Sequence, residues 1–432
     1  MSTPWRHLLT GLLLCLVTLP RAGAAQAVPA KPRARELGIT FGGQAGPHNT
    51  ITDVPGVEVG HTTLISGEGR GEPGKGPVRT GVTAVLPRGK DGVSEAVFAA
   101  VYALNGNGEL TGTHWVGESG QLSGPLMLTN TNDVGAVRDA VIAWGGKRGL
   151  AWELGLPVVG ETWDGMLNDI QGFHVKGPHA HQALDTARGG AVAEGSVGGG
   201  TGMMCHGFKG GIGTASRRLP AAVGGYTVGV LVQCNYGSRR LFSVEGVPAG
   251  EEISDLRPCY VGDAKPANPM FSKLPPCSAS GGVTRPTAPE GAGSIIVAVA
   301  TDAPLLPHQL ARLARRVPLG IARMGGIGEN SSGDIFLAFS TQHLKAPDTA
   351  PVASVSMLDN ERMDPLFEAT VQATQEAILN SMLAAGTMTG ADGIRVFALP
   401  HDRLVKAMKK YGRLPSPPVK PGPKAQPPAR AP

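Results

Sequence analysis

Apolar residues along this chain fall in short unbroken runs more often than in helical stripes. One of the clearest is Ile295-Ile296-Val297-Ala298-Val299-Ala300, bounded by Gly291-Ala292-Gly293-Ser294 upstream and Asp302 downstream. A strand covered on both faces requires such a run, with no polar alternation. Related runs predict strands at residues 82–86, 226–233, 335–340 and 394–399. Helical spacing is rarer. It predicts a helix over residues 137–144, capped by Thr131, Asn132 or Asp133 and ended by Gly145-Gly146. A second helix carries Leu306, Leu310, Leu313 and Val317 on its apolar face. A third carries Phe367, Val371, Ile378 and Met382, with Asp364 at its cap, Pro365 at its first position and Gly386 at its end.

Between these elements the polar residues cluster. Residues 106–132 hold Asn107-Gly108-Glu109, Glu118-Ser119-Gly120 and Thr129-Asn130-Thr131-Asn132 among apolar neighbours. Polar groups so placed need hydrogen-bond partners; they line a cleft or form satisfied turns, and the residues by themselves favour turns. Residues 248–293 are rich in Pro, Gly and Ser with little apolar periodicity, and predict a linker or exposed loop. From Leu414 onward Pro, Lys and Ala dominate, as in a disordered tail.

With 432 residues the chain is long enough for one large α/β unit or two intertwined lobes. Its 63 glycines and 36 prolines are spread through apolar segments, which predicts many tight turns in a folded body. The net charge of +5 resides largely at the two ends, and aromatics are only 5%, so an interleaved basic–aromatic surface for nucleic acid is not predicted. Residues 1–27 read as a secretory signal: Arg6 and His7, then an apolar stretch at 8–19, then small residues at Ala22-Gly23-Ala24 or Ala25-Gln26-Ala27. No later segment is apolar for long enough to span a bilayer, so a periplasmic or secreted protein without a membrane anchor is expected. Export permits disulfides. Cys259 and Cys277 flank a loop-like stretch and are the natural pair, worth about 3 kcal/mol by chain entropy, whereas Cys205 and Cys234 read as free buried thiols.

The candidate chemistry is scattered. Ser294 heads the buried run; were the Gly293–Ser294 bond cut, its hydroxyl would sit on a new N-terminus, and Gly293 has no Cβ to shield the carbonyl. Glu161, beside Trp152 and Trp163, suits an ammonium group or a surface turn. Asn235 at a strand end suits an oxyanion donor or a turn cap. Ser332 and Asp334, two apart, share one face if extended. His174, His179 and His181 lack a common face, so no metal site is expected. The clusters at 198–202 and 209–214 lack the Gly-Lys-Ser/Thr of a phosphate loop.

Taken in order, several segments make the chain resemble the DmpA/BapA-type aminopeptidases, a self-processing N-terminal-nucleophile family (L-aminopeptidase/D-amidase and β-peptidyl aminopeptidase). They are Ile51-Thr52-Asp53-Val54-Pro55-Gly56-Val57, Leu128-Thr129-Asn130-Thr131, Gly198-Gly199-Gly200-Thr201-Gly202-Met203 and the segment from Lys209 to Arg217. Gly293-Ser294-Ile295-Ile296-Val297, Thr301-Asp302-Ala303-Pro304 and Ser332-Gly333-Asp334-Ile335-Phe336 complete the set, which covers about residues 33–410.

The resemblance implies an α+β fold, a four-layer αββα sandwich of DmpA/ornithine-acetyltransferase type, cut at Gly293–Ser294 into an α chain (28–293) and a β chain whose body spans 294–413. It implies Ser294 as nucleophile, Ser332 and Asp334 as its supporting pair, Asn235 as oxyanion donor and Glu161 as the holder of the substrate's amino group. Trp163 stands where some relatives carry a catalytic tyrosine, so no phenolic hydroxyl acts from that position. No metal or cofactor is implied; a peptide or amide with a free amino terminus is, as is a homo-oligomer of αβ units. The competing expectations are a related acyl transferase or oligoamide hydrolase of the same fold, and an inert exported binding protein.

Overall fold

In the computed structural model of the protein, residues 31–415 are described, except 151, 264, 279–292 and 343–351. The expected signal at 1–27 and most of the C-terminal tail lie outside them. In chain order the first strands are β1 (Glu58–Ser66), β2 (Val78–Leu86), β3 (Val97–Ala103), β4 (Gln121–Leu122), β5 (Leu126–Asn130) and β6 (Val158–Thr162). Next come β7 (Met204–Cys205), β8 (Phe208–Lys209), β9 (Gly211–Arg218), β10 (Thr227–Asn235) and β11 (Cys259–Tyr260). The last are β12 (Gly293–Thr301), β13 (Ser332–Ser340), β14 (Met388–Thr389) and β15 (Ile394–Val396). The helices are α1 (Thr113–Ser119), α2 (Val134–Gly146), α3 (Gly177–Asp185), α4 (Ala249–Glu252), α5 (Pro307–Ala314), α6 (Val317–Arg323), α7 (Asp364–Ala384) and α8 (His401–Lys410).

Two sheets dominate: four strands ordered β1-β2-β5-β6 and six ordered β4-β3-β13-β12-β10-β9. They face each other through one apolar layer, in which Val59, Val85, Leu126 and Leu128 meet Leu231, Ile296, Ala298 and Leu337. Helices α2 and α3 cover the outer face of the smaller sheet through Val137, Val141, Ala183 and Leu184. On the outer face of the larger sheet lie α5, α6 and α7, through Leu310, Leu313, Ile321, Ile378 and Met382. The result is the expected αββα sandwich. Every strand of the larger sheet's centre is therefore shut off from water on both sides, which is why β12 needs its unbroken apolar run.

Strands β12 and β13 run parallel, with Ser294 opposite Gly333, while β10 runs antiparallel to β12. A parallel pair needs a crossover, and residues 302–331 supply it through α5 and α6. The crossover brings the chain back to the end of the sheet where β12 starts, so residues 293–294 and 332–334 are neighbours despite a separation of almost forty positions.

Several local expectations are revised. The helix at 306–317 is two helices, because Arg315 and Arg316 leave the first and Pro318 opens the second. The expected caps Thr131, Asn132 and Asp133 form a short 3-10 turn ahead of α2, and it is the Asn130 side chain that accepts from the N–H groups of Asn132 and Asp133. Helix α7 is buried on all sides from Ala373 to Leu383, while Asp364 and Glu368 near its start stay exposed. The final strand stops at Val396.

The stretch expected to be a linker is folded up to residue 278: Ile253, Tyr260, Phe271 and Leu274 are buried, and β11 pairs with β15. The Cys259–Cys277 disulfide closes this segment, with Cα atoms 5.0 Å apart. Cys205 and Cys234 are not free thiols. They are bonded, with Cα atoms 5.6 Å apart, because the β7–β8 hairpin folds onto the end of β10.

Candidate active site

Gly293 and Ser294 open β12 at the mouth of a cavity of about 350 Å³. Its walls include Asn107, Thr131, Glu161, Trp163, Asn235 and Ser331, together with Met166, Met204, Met270 and Phe271. Glu161 and Trp163 come from the end of β6 in the smaller sheet, Asn235 from the end of β10 in the larger one. The cavity thus sits where the two sheets' strand ends meet, and four of the residues singled out in the sequence converge on it with Gly293.

Gly293 has a φ of +145°, and a Cβ there would lie 1.9 Å from the Asn235 carbonyl oxygen. Only glycine fits that approach. On the other side, Gly333 lies so close to the Asn107 carbonyl (2.5 Å from an added Cβ) that it too must lack a side chain. The β12–β13 register sets Gly333 opposite Ser294, and its N–H donates to Ser294 Oγ at 3.2 Å. Ser294 is 4% exposed.

Ser332 and Asp334 flank Gly333. Ser332 Oγ donates to Asp334 Oδ1 at 2.5 Å, so the two do share one face of β13. Neither side chain is hydrogen-bonded to Ser294 Oγ. Asp334 is further tied to Asn105, whose Nδ2 donates to Asp334 Oδ2 at 3.2 Å and whose Oδ1 accepts from the Asp334 N–H at 2.6 Å. Burial pushes the Asp334 carboxyl above its ordinary range, and hydrogen bonds from Ser332 and Asn105 pull the other way.

Glu161 is 3% exposed, not a surface carboxylate. Its Oε1 accepts from the Glu109 N–H at 3.0 Å and its Oε2 from the Thr131 hydroxyl. Burial raises its pKa, against those two hydrogen bonds. Among the described residues no cation offsets it. A buried carboxylate with both oxygens oriented and no counter-ion is suited to receive an ammonium group. Trp152 takes no part: it is 94% exposed and lies in a different hollow with Trp115 and Leu156. Trp163 lines the cavity, its ring 6.1 Å from that of Phe271.

Asn235 is held at both ends of its amide. Oδ1 accepts from the Met204 N–H at 2.7 Å, and Nδ2 donates to the Trp163 carbonyl at 2.8 Å. One N–H of the amide remains for another acceptor. The three histidines are dispersed: His174 binds Asp169, His179 accepts from the Lys176 N–H, and His181 contacts the Ala140 carbonyl.

Asn105, Met204 and the Met270–Phe271 pair were not singled out by the sequence, and Thr131 only as a helix cap and a motif residue. Thr131 and Asn107 lay within the polar-dense stretch that could line a cleft. Met270 and Phe271, an apolar pair inside a proline-rich segment, were the available sign that this segment is packed.

The chain belongs to peptidase family S58, whose profile matches residues 49–396. It is an aminopeptidase by that membership and by its relatives. Over 396 residues it is 52% identical to the β-peptidyl aminopeptidase BapA of Sphingosinicella microcystinivorans, covering 91% of this chain and 95% of that one. Over 413 residues it is 46% identical to the BapA of Sphingosinicella xenopeptidilytica, covering 94% and 98%. It is also similar to the solved L-aminopeptidase D-Ala-esterase/amidase of Ochrobactrum anthropi, a variant of the Ntn hydrolase fold. That match has a TM-score of 0.77 and 43% identity, and covers 89% of this chain and all of that one.

Proposed function

We propose that this chain is an exported serine aminopeptidase that cuts itself at Gly293–Ser294 and then releases N-terminal residues from peptides, amides or esters, with Ser294 as nucleophile. The observation that carries the reading is the convergence of Ser294, Asn235 and Glu161 on one cavity: an attacking oxygen, an N–H donor beside it and a carboxylate for a free amine.

In the precursor, Ser294 Oγ attacks the Gly293 carbonyl carbon, the C–N bond breaks, and the acyl group passes from nitrogen to oxygen. Water then hydrolyses the ester, freeing the Gly293 carboxylate and the Ser294 amine and hydroxyl. This divides the chain into 28–293 and a segment from 294, with 1–27 removed on export. The glycine at 293 supports this reading, since its backbone is held against Asn235 in a conformation that strains other residues.

In the cut enzyme, Oγ attacks the substrate's first carbonyl, the C–N bond breaks to leave an acyl–Ser294 ester, and water then hydrolyses that ester to release the residue and restore the hydroxyl. The free α-amine of Ser294, with an unperturbed pKa of about 7.7–8.0, takes the proton and returns it to the leaving amine. The Asn235 N–H and the Gly333 N–H are the candidate donors to the oxyanion, and Ser332 with Asp334 fixes the strand that carries Gly333. Glu161 pairs with the substrate's ammonium and so restricts cleavage to the first residue. The BapA relatives extend the proposal to N-terminal β-amino residues, with Met166, Met204, Met270 and Phe271 receiving apolar side chains.

The test is release of p-nitroaniline from amino-acyl p-nitroanilides by wild type and Ser294→Ala. Turnover by wild type with none by the variant is expected. Equal turnover by the two would overturn the assignment.

A further inference from the structure

Next to Asn235 the fold buries two ionisable groups that the proposed reaction does not use, Lys209 and Asp164, both 0% exposed. Lys209 Nζ points at backbone carbonyls: Met203 at 2.8 Å, Gly210 at 2.9 Å and Gly200 at 3.5 Å. Asp164 accepts from Asn168 Nδ2 at 3.1 Å and is also hydrogen-bonded by the Thr80 side chain. Burying an ammonium group is costly: burial lowers Lys209 to about 7 even with the Asp164 charge opposing the fall. A lysine spent on three carbonyls in the interior calls for a reason.

The carbonyls identify one. Met203 precedes Met204, whose N–H donates to Asn235 Oδ1 at 2.7 Å. The Gly210 N–H closes on the Met203 carbonyl at 2.9 Å, so Lys209 Nζ and a backbone amide grip the same oxygen. On the far side of Asn235, the carbonyl that accepts from Nδ2 belongs to Trp163, the residue before Asp164. The Cys205–Cys234 bond joins the residue after Met204 to the residue before Asn235. Every contact that orients the Asn235 amide is therefore one residue from a group that Lys209, Asp164 or the disulfide holds.

An asparagine amide is nearly symmetric in shape, and a half-turn exchanges its oxygen for its nitrogen. At Asn235 such a turn would aim a carbonyl oxygen, not an N–H, at the cavity. The Met204 N–H at one end and the Trp163 carbonyl at the other permit a single orientation. We propose that Lys209 is a positioning residue: by tying the Met203 and Gly210 carbonyls it fixes the Met204 N–H, and so keeps the Asn235 N–H directed at the reacting carbonyl. This rests on the reading of Asn235 as oxyanion donor.

The experiment is a double-mutant cycle on kcat and KM for one p-nitroanilide, using Lys209→Met, Asn235→Ala and the pair, with thermal melting alongside. Losing one oxyanion donor costs about 10²–10³ in kcat, so Asn235→Ala should fall by about that much. Lys209→Met should lose roughly tenfold or more in kcat with KM within about twofold, and the pair should lose no more than Asn235→Ala alone. Lys209→Gln, whose amide still donates to a carbonyl, should retain more kcat than Lys209→Met, although methionine suits a buried site better.

Unchanged kcat in Lys209→Met, a change confined to KM, additive losses, or the reverse order of Gln and Met would overturn the proposal. Should Lys209→Met not accumulate as folded protein, Lys209→Gln is read instead: a kcat loss smaller than that of Asn235→Ala, with KM within about twofold and no further loss when combined with Asn235→Ala, supports the proposal, and unchanged kcat, an additive loss or a change confined to KM overturns it. If Asn235→Ala keeps its kcat, the oxyanion reading fails by itself, whatever the Lys209 variants do.

Discussion

Asn235, the last residue of β10, is the antiparallel cross-strand partner of Ser294, the second residue of β12. Their spacing is therefore set by the sheet's ladder and not by a loop, which makes it rigid. Asn235→Asp keeps the shape of the side chain and replaces a donor with an acceptor-only carboxylate. We expect kcat to fall by about 10²-fold or more, and the melting temperature to fall as well, because the carboxylate cannot donate to the Trp163 carbonyl. Steady-state kinetics on a p-nitroanilide checks this, and wild-type kcat in Asn235→Asp would remove the residue from the reaction.

Glu161 can pair with an ammonium only when ionised. Its burial raises its pKa, so kcat/KM should decline as pH falls through a value above the ordinary glutamate range, with the carboxylate regained as pH rises. Glu161→Gln should lose that acidic limb and bind free-amine substrates more weakly. N-acetylated substrates should not be turned over by the wild type. Equal rates on blocked and free substrates would reject ammonium recognition by this carboxylate.

At Gly293 the argument is steric. Gly293→Ala places a Cβ 1.9 Å from the Asn235 carbonyl oxygen, which the sheet cannot accommodate without moving β12 against β10. The expected outcome is slow or absent conversion of the precursor, followed by denaturing electrophoresis over time. Conversion at the wild-type rate would show that the close approach is not needed for cleavage.

The Cys205–Cys234 bond closes a separation of 29 residues, for which chain entropy predicts about 3–4 kcal/mol. Replacing both with serine should lower the melting temperature and also lower kcat, because the bond brackets the Met204–Asn235 contact. A variant with reduced stability but unaltered kcat would confine the bond to a structural role.

How much of this the sequence disclosed depends on how local each signal is. The run from Ile295 to Ala300 was legible as a doubly covered strand because burial on both faces leaves nothing polar in it. Ser332 and Asp334 sharing a face followed from the two-residue period of a strand. The layer arrangement and the grouping of Glu161, Asn235 and Ser294 came through resemblance, since nothing in their own neighbourhoods says that strands β6, β10 and β12 end together.

What stayed hidden was set by distant packing. Strands β7 and β8 are two residues each, too short to carry a pattern, so the hairpin that brings Cys205 to Cys234 had no trace in periodicity. Residues 248–278 looked like a linker because their few apolar side chains pack without a repeat, Ile253 into the core beside the larger sheet and Tyr260, Phe271 and Leu274 against β15 and Trp163. Trp152 stood near Glu161 in sequence, but β6 carries the two apart.

The proposed chemistry requires Ser294 to become an N-terminus. N-terminal sequencing of the bands that purified wild-type protein gives on denaturing electrophoresis, run beside Ser294→Ala, measures that directly. We expect two wild-type chains, the smaller beginning Ser294-Ile295-Ile296, and one uncut chain for the variant. A single intact wild-type chain, a fragment beginning elsewhere, or cleavage persisting in Ser294→Ala would contradict that chemistry.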